Sequence, residues 1–284
     1  MGDTPQEAIL IGTIAVSVAA FVFAGLRRVL GLDAAWIGLI ISAAFLASYF
    51  LVYQKIPPLP PVGAVNKIFY LSLAGALLGF AADLADRPRL AGWLALMQPL
   101  AAALYIGQSR LAAAPQEVVF AAAAGMLSMT LLQREFGGSA AEDGAKRTLL
   151  LAIFSTGFAP IALLGASSSS LQLCLMFAIT LLAIVAWSLG SDDNPFATSA
   201  LLGGAGGMLS VVYAVTLITR KADLLALAIL ALVFLVPEVA RRTGWIDRLQ
   251  SRMARLVAFG LLCAVPAASG VAIAIISYGS SFPI

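Results

Sequence analysis

Chemistry in this chain has to be built without histidine, because the sequence contains none. That removes the most common general base and the most frequent zinc ligand, and with them His-activated serine proteolysis and His-dependent intramembrane metalloproteolysis. Paired carboxylates remain. Asp83 and Asp86 form one pair, and Asp192, Asp193 and Asn194 form a second. Two such groups brought together are the chemistry that holds magnesium and a diphosphate. The structural reading of the same residues is a salt-bridged turn, with Arg87 and Arg89 neutralising Asp83 and Asp86. Asp192–Asp193–Asn194–Pro195 likewise makes an ordinary turn and helix start. Facing carboxylates deep inside apolar runs, which aspartyl proteolysis needs, are not visible. No catalytic residue, metal ligand or cofactor is assigned.

Polar side chains inside apolar runs are the other source of chemistry. Gln98 is the deepest, and Pro99 after it frees a backbone carbonyl one turn earlier. Ser155 and Thr156 precede Gly157 and Pro160, while Tyr213 and Thr216 follow a glycine cluster. Gln98, Pro99, Ser155, Thr156, Tyr213 and Thr216 are therefore the expected substrate-binding residues. The plainer role for Gln98 is a hydrogen bond that ties two helices together. Pro266 before Ser269 and Gly270 is a further helix irregularity.

The elements that position these groups follow from composition. Of 284 residues, 61% are hydrophobic and 11% charged, where a soluble domain carries roughly a quarter charged. The mean hydropathy is +0.99. The apolar residues fall into runs near 8–26, 35–53, 64–83, 90–107, 116–133, 148–166, 171–189, 197–218, 222–238 and 256–277. Each is about the length that crosses a bilayer as a helix. The expected fold is an all-α polytopic transmembrane bundle of about ten spans, in one integral membrane domain over residues 1–284. The first run is read as a retained span, since Asp3 and Glu7 precede it and Arg27 and Arg28 follow it, the reverse of a signal peptide. Cys174 and Cys263 lie inside apolar runs and are expected only to pack.

Twelve of the seventeen basic residues fall on one side of such a bundle, which makes that side cytoplasmic and the N-terminus external. The expected location is a bacterial inner membrane. In residues 239–255, Trp245, Ile246, Leu249 and Met253 take one helical face, and Arg241, Arg248, Arg252 and Arg255 the other. That pattern predicts an interfacial amphipathic helix with the arginines at lipid headgroups. Pro57, Pro58, Pro60 and Pro61 predict a stiff external loop.

Ten spans divide as five plus five around the linker 134–147, so halves of about 1–133 and 148–284 would have opposite orientations, as in inverted-repeat transporters. Gly75 and Gly79 in the third span match Gly203 and Gly207 in the eighth, and Pro99 matches Pro237. Glycines four apart let backbones approach, so these four are expected at helix contacts. The length and span count resemble small-metabolite permeases such as the drug/metabolite transporter group, from whose cytoplasmic termini the expected external termini depart. They also resemble membrane prenyltransferases, whose two Asp-rich motifs are longer than those here. The leading functional expectation is a small-molecule or lipid transporter. A non-catalytic membrane subunit is the alternative, and a magnesium-dependent enzyme on a lipid diphosphate trails. The expected partners are the lipid bilayer, other membrane proteins or further copies of the chain, with no nucleic acid.

Overall fold

The computed structural model describes residues 5–30, 34–134, 136, 139–189, 196–246 and 248–278. They form an all-helical bundle: α1 Pro5–Leu30, α2 Ala34–Tyr53, α3 Ala64–Leu84, α4 Pro88–Ile106, α5 Pro115–Gln133, α6 Ala140–Leu164, α7 Ser168–Ser188, α8 Ala200–Thr219, α9 Leu224–Thr243 and α10 Arg252–Tyr278. Every expected apolar run coincides with one of them, overrunning its ends by three residues at most. By length and composition, α3 to α10 are eight helices able to cross a membrane, while the apolar stretches found in α1 and α2 are the shorter Leu10–Val22 and Gly38–Tyr53. Such a bundle is compatible with an integral membrane protein. Large apolar side chains stand on its outside, among them Phe120 at 75% exposure and Ile276 at 77%, a surface suited to lipid rather than to water.

Local chemistry sets the helix ends. Pro88 and Pro115 sit at the first turns of α4 and α5, where a missing N–H costs nothing. The Ser139 hydroxyl accepts the Glu142 N–H to start α6, and Asp223 accepts from the N–H groups of Leu225 and Ala226 to start α9. Contacts between helix ends fit a bundle of alternating direction: Lys67 at the start of α3 reaches Tyr105 O at the end of α4, and Gln133 at the end of α5 reaches Ala91 O at the start of α4. One end of the bundle therefore gathers the turns after α1, α3, α5, α7 and α9, and is called here the basic end. The other gathers the turns after α2, α4, α6 and α8, and is called the proline end because it carries the non-helical segment 54–63. There the Tyr70 hydroxyl holds the Pro57 carbonyl at 2.7 Å.

The centre is α8, and α3 crosses it without intervening side chains. A β-carbon on Gly75 would meet the Leu202 carbonyl carbon at 2.7 Å, and one on Gly79 would meet Ser199 Cα at 2.5 Å. From the other partner, a β-carbon on Gly203 would stand 2.8 Å from Ala76 Cβ, and one on Gly207 2.9 Å from Ser72 Oγ. The third and eighth helices thus meet at all four glycines singled out by their spacing. α8 begins and ends in π-helical turns, Ala200–Ala205 and Ala214–Thr219, around an α-helical middle. Hydroxyls from neighbouring helices bond its first turns: Ser72 donates to Gly203 O at 2.7 Å, and Ser42 to Ser199 O at 2.6 Å.

Two expectations are revised. Residues 239–255 are not one helix: α9 stops at Gly244, whose φ of 63° is left-handed, and α10 starts afresh at Arg252. Ile246 is buried while Trp245 stays exposed. Among the described residues the Asp83 carboxylate makes no ion pair with Arg87 or Arg89; it accepts hydrogen bonds from the first turn of α8, as described below. The two halves also share contacts only in part. The packing of α4 on α5 has a counterpart in α9 on α10, but that of α6 on α10 has no comparable counterpart between α1 and α5 among the described residues.

Candidate functional site

Two cavities lie end to end along α5 and α8. The larger, about 480 Å3, is a cleft in the side of the bundle. One wall is α5, through Glu117, Ala121, Ala124, Gly125, Ser128 and Leu132; the back is α8, through Ala205, Met208, Leu209, Val212, Tyr213 and Thr216; and the other wall is α9, through Leu224, Leu227, Ala228 and Ala231. From Glu117 to Leu132 the cleft follows about 22 Å of helix at 1.5 Å per residue, most of the ~30 Å hydrocarbon thickness of a bilayer. Its volume lies in the range of small-molecule sites, about 300–1,000 Å3.

Small side chains make the cleft. Ala121, Ala124, Gly125 and Ser128 share one face of α5 at helical spacing. A bulkier α5 would fill the gap. The Tyr213 side chain reaches across to Gly125, where its hydroxyl occupies the place a β-carbon would take. That hydroxyl is shielded from solvent and has no hydrogen-bond partner among the described residues. Thr216 Oγ1 donates back to Val212 O at 2.9 Å.

The mouth at the proline end is charged. Glu117 Oε2 lies 3.3 Å from Arg110 Nη2, and Glu117 Oε1 lies 3.1 Å from Arg220 Nη2. Arg220, the residue that ends α8, has a left-handed φ of 55°, a position where glycine is the ordinary choice.

The second cavity, about 370 Å3, opens at the basic end and is polar: Asp83, Gln133, Arg147 and Thr198 line it with Leu132, Leu201 and Phe196. Leu132 borders both cavities. Asp83 shapes this vestibule by capping α8 from another helix. Its Oδ1 accepts the Thr198 N–H, and its Oδ2 accepts the Ser199 N–H and hydroxyl, all at 2.9 Å. The first N–H groups of a helix have no partner within it, and a carboxylate there also meets the positive end of the helix dipole. Both oxygens of Asp83 are thereby engaged. Asp192, Asp193 and Asn194 lie outside the described residues, and no cluster able to hold a metal occurs among the described ones.

Beside the vestibule is a buried ionic cluster. Glu142 accepts from Arg255 Nε and Nη2, both at 2.9 Å, and pairs with Lys146 at 3.0 Å. Asp143 Oδ2 accepts the Phe136 N–H at 3.1 Å, with Arg147 at 3.9 Å. Arg252 donates to Ala141 O at 3.2 Å. Arg252 and Arg255, expected at lipid headgroups, thus turn inward and tie α10 to α6. Arg241 remains exposed, 2.8 Å from Glu238, and Arg248 is exposed as well.

The six expected substrate-binding residues do not converge. Tyr213 and Thr216 line the cleft. Gln98 packs between α4 and α8, where a β-carbon on Gly206 would meet its Cδ at 2.6 Å. It lines neither cavity, and its amide has no hydrogen-bond partner among the described residues. Pro99 is buried beside it. Ser155 donates to Cys174 O at 2.9 Å, joining α6 to α7. Thr156 is exposed on the outside and bonds Ala152 O in its own helix. The residues that sequence reasoning missed are the small face of α5 and the Arg110–Glu117–Arg220 mouth. The regular spacing of Ala121, Ala124, Gly125 and Ser128 was the available signal for the first; the second joins residues 103 positions apart and carries none.

The fold and cavities define a class, an apolar helical bundle with a side-opening cleft. Comparison with known protein families, curated proteins and solved structures finds no match to the chain.

Proposed function

We propose that the chain is an integral membrane permease for a lipid or lipid-like small molecule, which enters sideways between α5 and α9 and leaves through the polar vestibule at the basic end. The observation that carries this reading is the residue common to the two cavities: Leu132 lines both the apolar cleft and the polar vestibule, which follow one another along α5. The cleft suits an apolar chain. Its mouth and the vestibule suit a polar group at either side. In this reading all ten helices span, with the basic end in the cytoplasm and the N-terminus outside, following the excess of Lys and Arg. Transport then centres on the α5–α8–α9 side rather than on Gln98, and the five-plus-five repeat is not needed for it.

The test is lipid movement in phosphatidylcholine vesicles that contain the purified protein and a trace of fluorescent phospholipid. Dithionite added outside bleaches only the outer leaflet unless lipid moves across. Bleaching is expected to proceed beyond the outer-leaflet fraction, faster in Leu132→Ala and slower in Leu132→Trp. Bleaching no greater than in protein-free vesicles, with the protein shown to be inserted, overturns the proposal. If instead a second membrane protein occupies the cleft in native membranes and no lipid moves, the chain is a subunit of a larger assembly.

A further inference from the structure

We propose that the Arg110–Glu117–Arg220 mouth is a headgroup site for an anionic phospholipid of the leaflet at the proline end, with one acyl chain lying in the cleft toward Leu132. This deepens the reading of the cleft as a lipid path by naming the lipid, and it concerns binding rather than movement.

Charge is the first support. Two guanidinium groups share one carboxylate, which leaves the trio with a surplus positive charge. Neither arginine has another carboxylate partner among the described residues, and Arg110 Nε is buried with no acceptor. Arginine presents several donors in a planar fork that matches phosphate oxygens as well as carboxylate oxygens. Glu117 thus acts as a built-in anion that a phosphate displaces or joins. It is about one-third exposed, and the Arg220 side chain is about half exposed, so the pair at the mouth is open to exchange with a headgroup.

Geometry is the second support. Glu117 and Arg220 both line the apolar cleft, so a headgroup at the mouth places its chain against Phe120, Ala124, Leu209 and Leu227. A phospholipid in that leaflet already has this arrangement, with the head at the interface and the chain directed inward. The cleft needs no reorientation of the lipid to fill. Backbone conformation is the third. An arginine holds the left-handed φ that ends α8, where glycine would cost less, and that turn sets its guanidinium beside Glu117 at the mouth.

Native mass spectrometry of the full chain tests the site, with equimolar dioleoyl-phosphatidylglycerol and dioleoyl-phosphatidylcholine added in mild detergent. The expected result is preferential retention of phosphatidylglycerol. The preference falls about fivefold in Arg220→Gln and in Arg110→Gln, in keeping with the attraction of one basic residue for an anionic lipid surface, and Arg220→Lys keeps part of it. Glu117→Gln is expected to raise it, a gain that misfolding cannot produce. Ala124→Trp, which fills the cleft, is expected to reduce retention of both lipids. Equal retention of the two lipids by the unaltered protein, a preference unchanged in the double Arg→Gln variant, or retention untouched by Ala124→Trp overturns the proposal. Preferential retention without lipid movement in vesicles leaves the headgroup site standing and removes the permease reading alone.

Discussion

Replacing Asp83 tests how the bundle secures the start of its central helix. The carboxylate accepts three hydrogen bonds at 2.9 Å, from Thr198 N, Ser199 N and Ser199 Oγ. Hydrogen bonds to a charged group contribute about 1.5–3 kcal/mol each, but bonds that share one acceptor do not add. A helix cap alone contributes about 0.5–2 kcal/mol. Asp83→Ala leaves two backbone N–H groups without their acceptor in a partly buried turn, so a loss of about 2–4 kcal/mol is expected. At about 2–4 °C per kcal/mol for a chain of roughly this size, the midpoint of thermal unfolding in detergent falls by roughly 4–16 °C. Asp83→Asn keeps the shape but turns an NH2 group toward an N–H, and should fall between the two. Ser199→Ala removes only the hydroxyl bond and is expected to cost about 1 kcal/mol. The double variant Asp83→Ala/Ser199→Ala should lose less than the sum, because both changes act on one contact. An Asp83→Ala midpoint within a degree of the unaltered protein, alongside a measurable shift in Ser199→Ala, would refute the assignment of Asp83 as the cap.

Glu142→Gln removes a carboxylate that pairs with both Lys146 and Arg255; breaking a buried ion pair costs about 3–5 kcal/mol, so the variant should unfold at markedly lower denaturant. Unchanged unfolding would mean that the cluster is not a structural tie. Gly125→Ala places a methyl 2.8 Å from Leu209 Cδ2 and 3.0 Å from Tyr213 Cζ, which forces the tyrosine into the cleft. It should reduce both lipid retention and stability, the latter by about 1–3 kcal/mol, with partial recovery on adding Tyr213→Phe; retention equal to the unaltered protein would show that the tyrosine does not border the occupied space.

How far the sequence could be read depends on the range of each interaction. The ten helices follow from apolar runs punctuated by Pro, Gly and charge, which are local signals. The meeting of α3 and α8 was legible because Gly75, Gly79, Gly203 and Gly207 announce themselves by spacing. Residues 239–255 misled because their helical periodicity continues through Gly244, whose left-handed backbone breaks the helix. Asp83 stood beside Arg87 and Arg89 in sequence and read as their partner, yet it bonds residues 115 and 116 positions away. Gln98 was read as deep and polar, but a position along a helix does not say which space a side chain borders; its amide packs against the backbone at Gly206 and lines neither cavity. The cleft was hardest to foresee, because a cavity is made by what its walls lack, and alanines on α5 look the same whether they admit a neighbour or leave a gap.

The two π-helical stretches of α8 make its tolerance of a change in length depend on where the change falls. A π turn spends more residues per turn than an α turn, so each stretch shifts the faces that follow it around the axis. The first lets the glycines meet α3 while Met208, Tyr213 and Thr216 still reach the cleft; the second brings Arg220 round to Glu117. Deleting a single residue from either stretch would let it relax to regular α winding, in which five residues turn the chain about as far as six do in wider turns, so the faces beyond would stay nearly in place. A one-residue deletion in the α-helical middle, Gly206–Tyr213, has no such slack: it would rotate everything beyond it by about 100°, one α-helical step, and exchange the lining of the cleft for a different set of side chains.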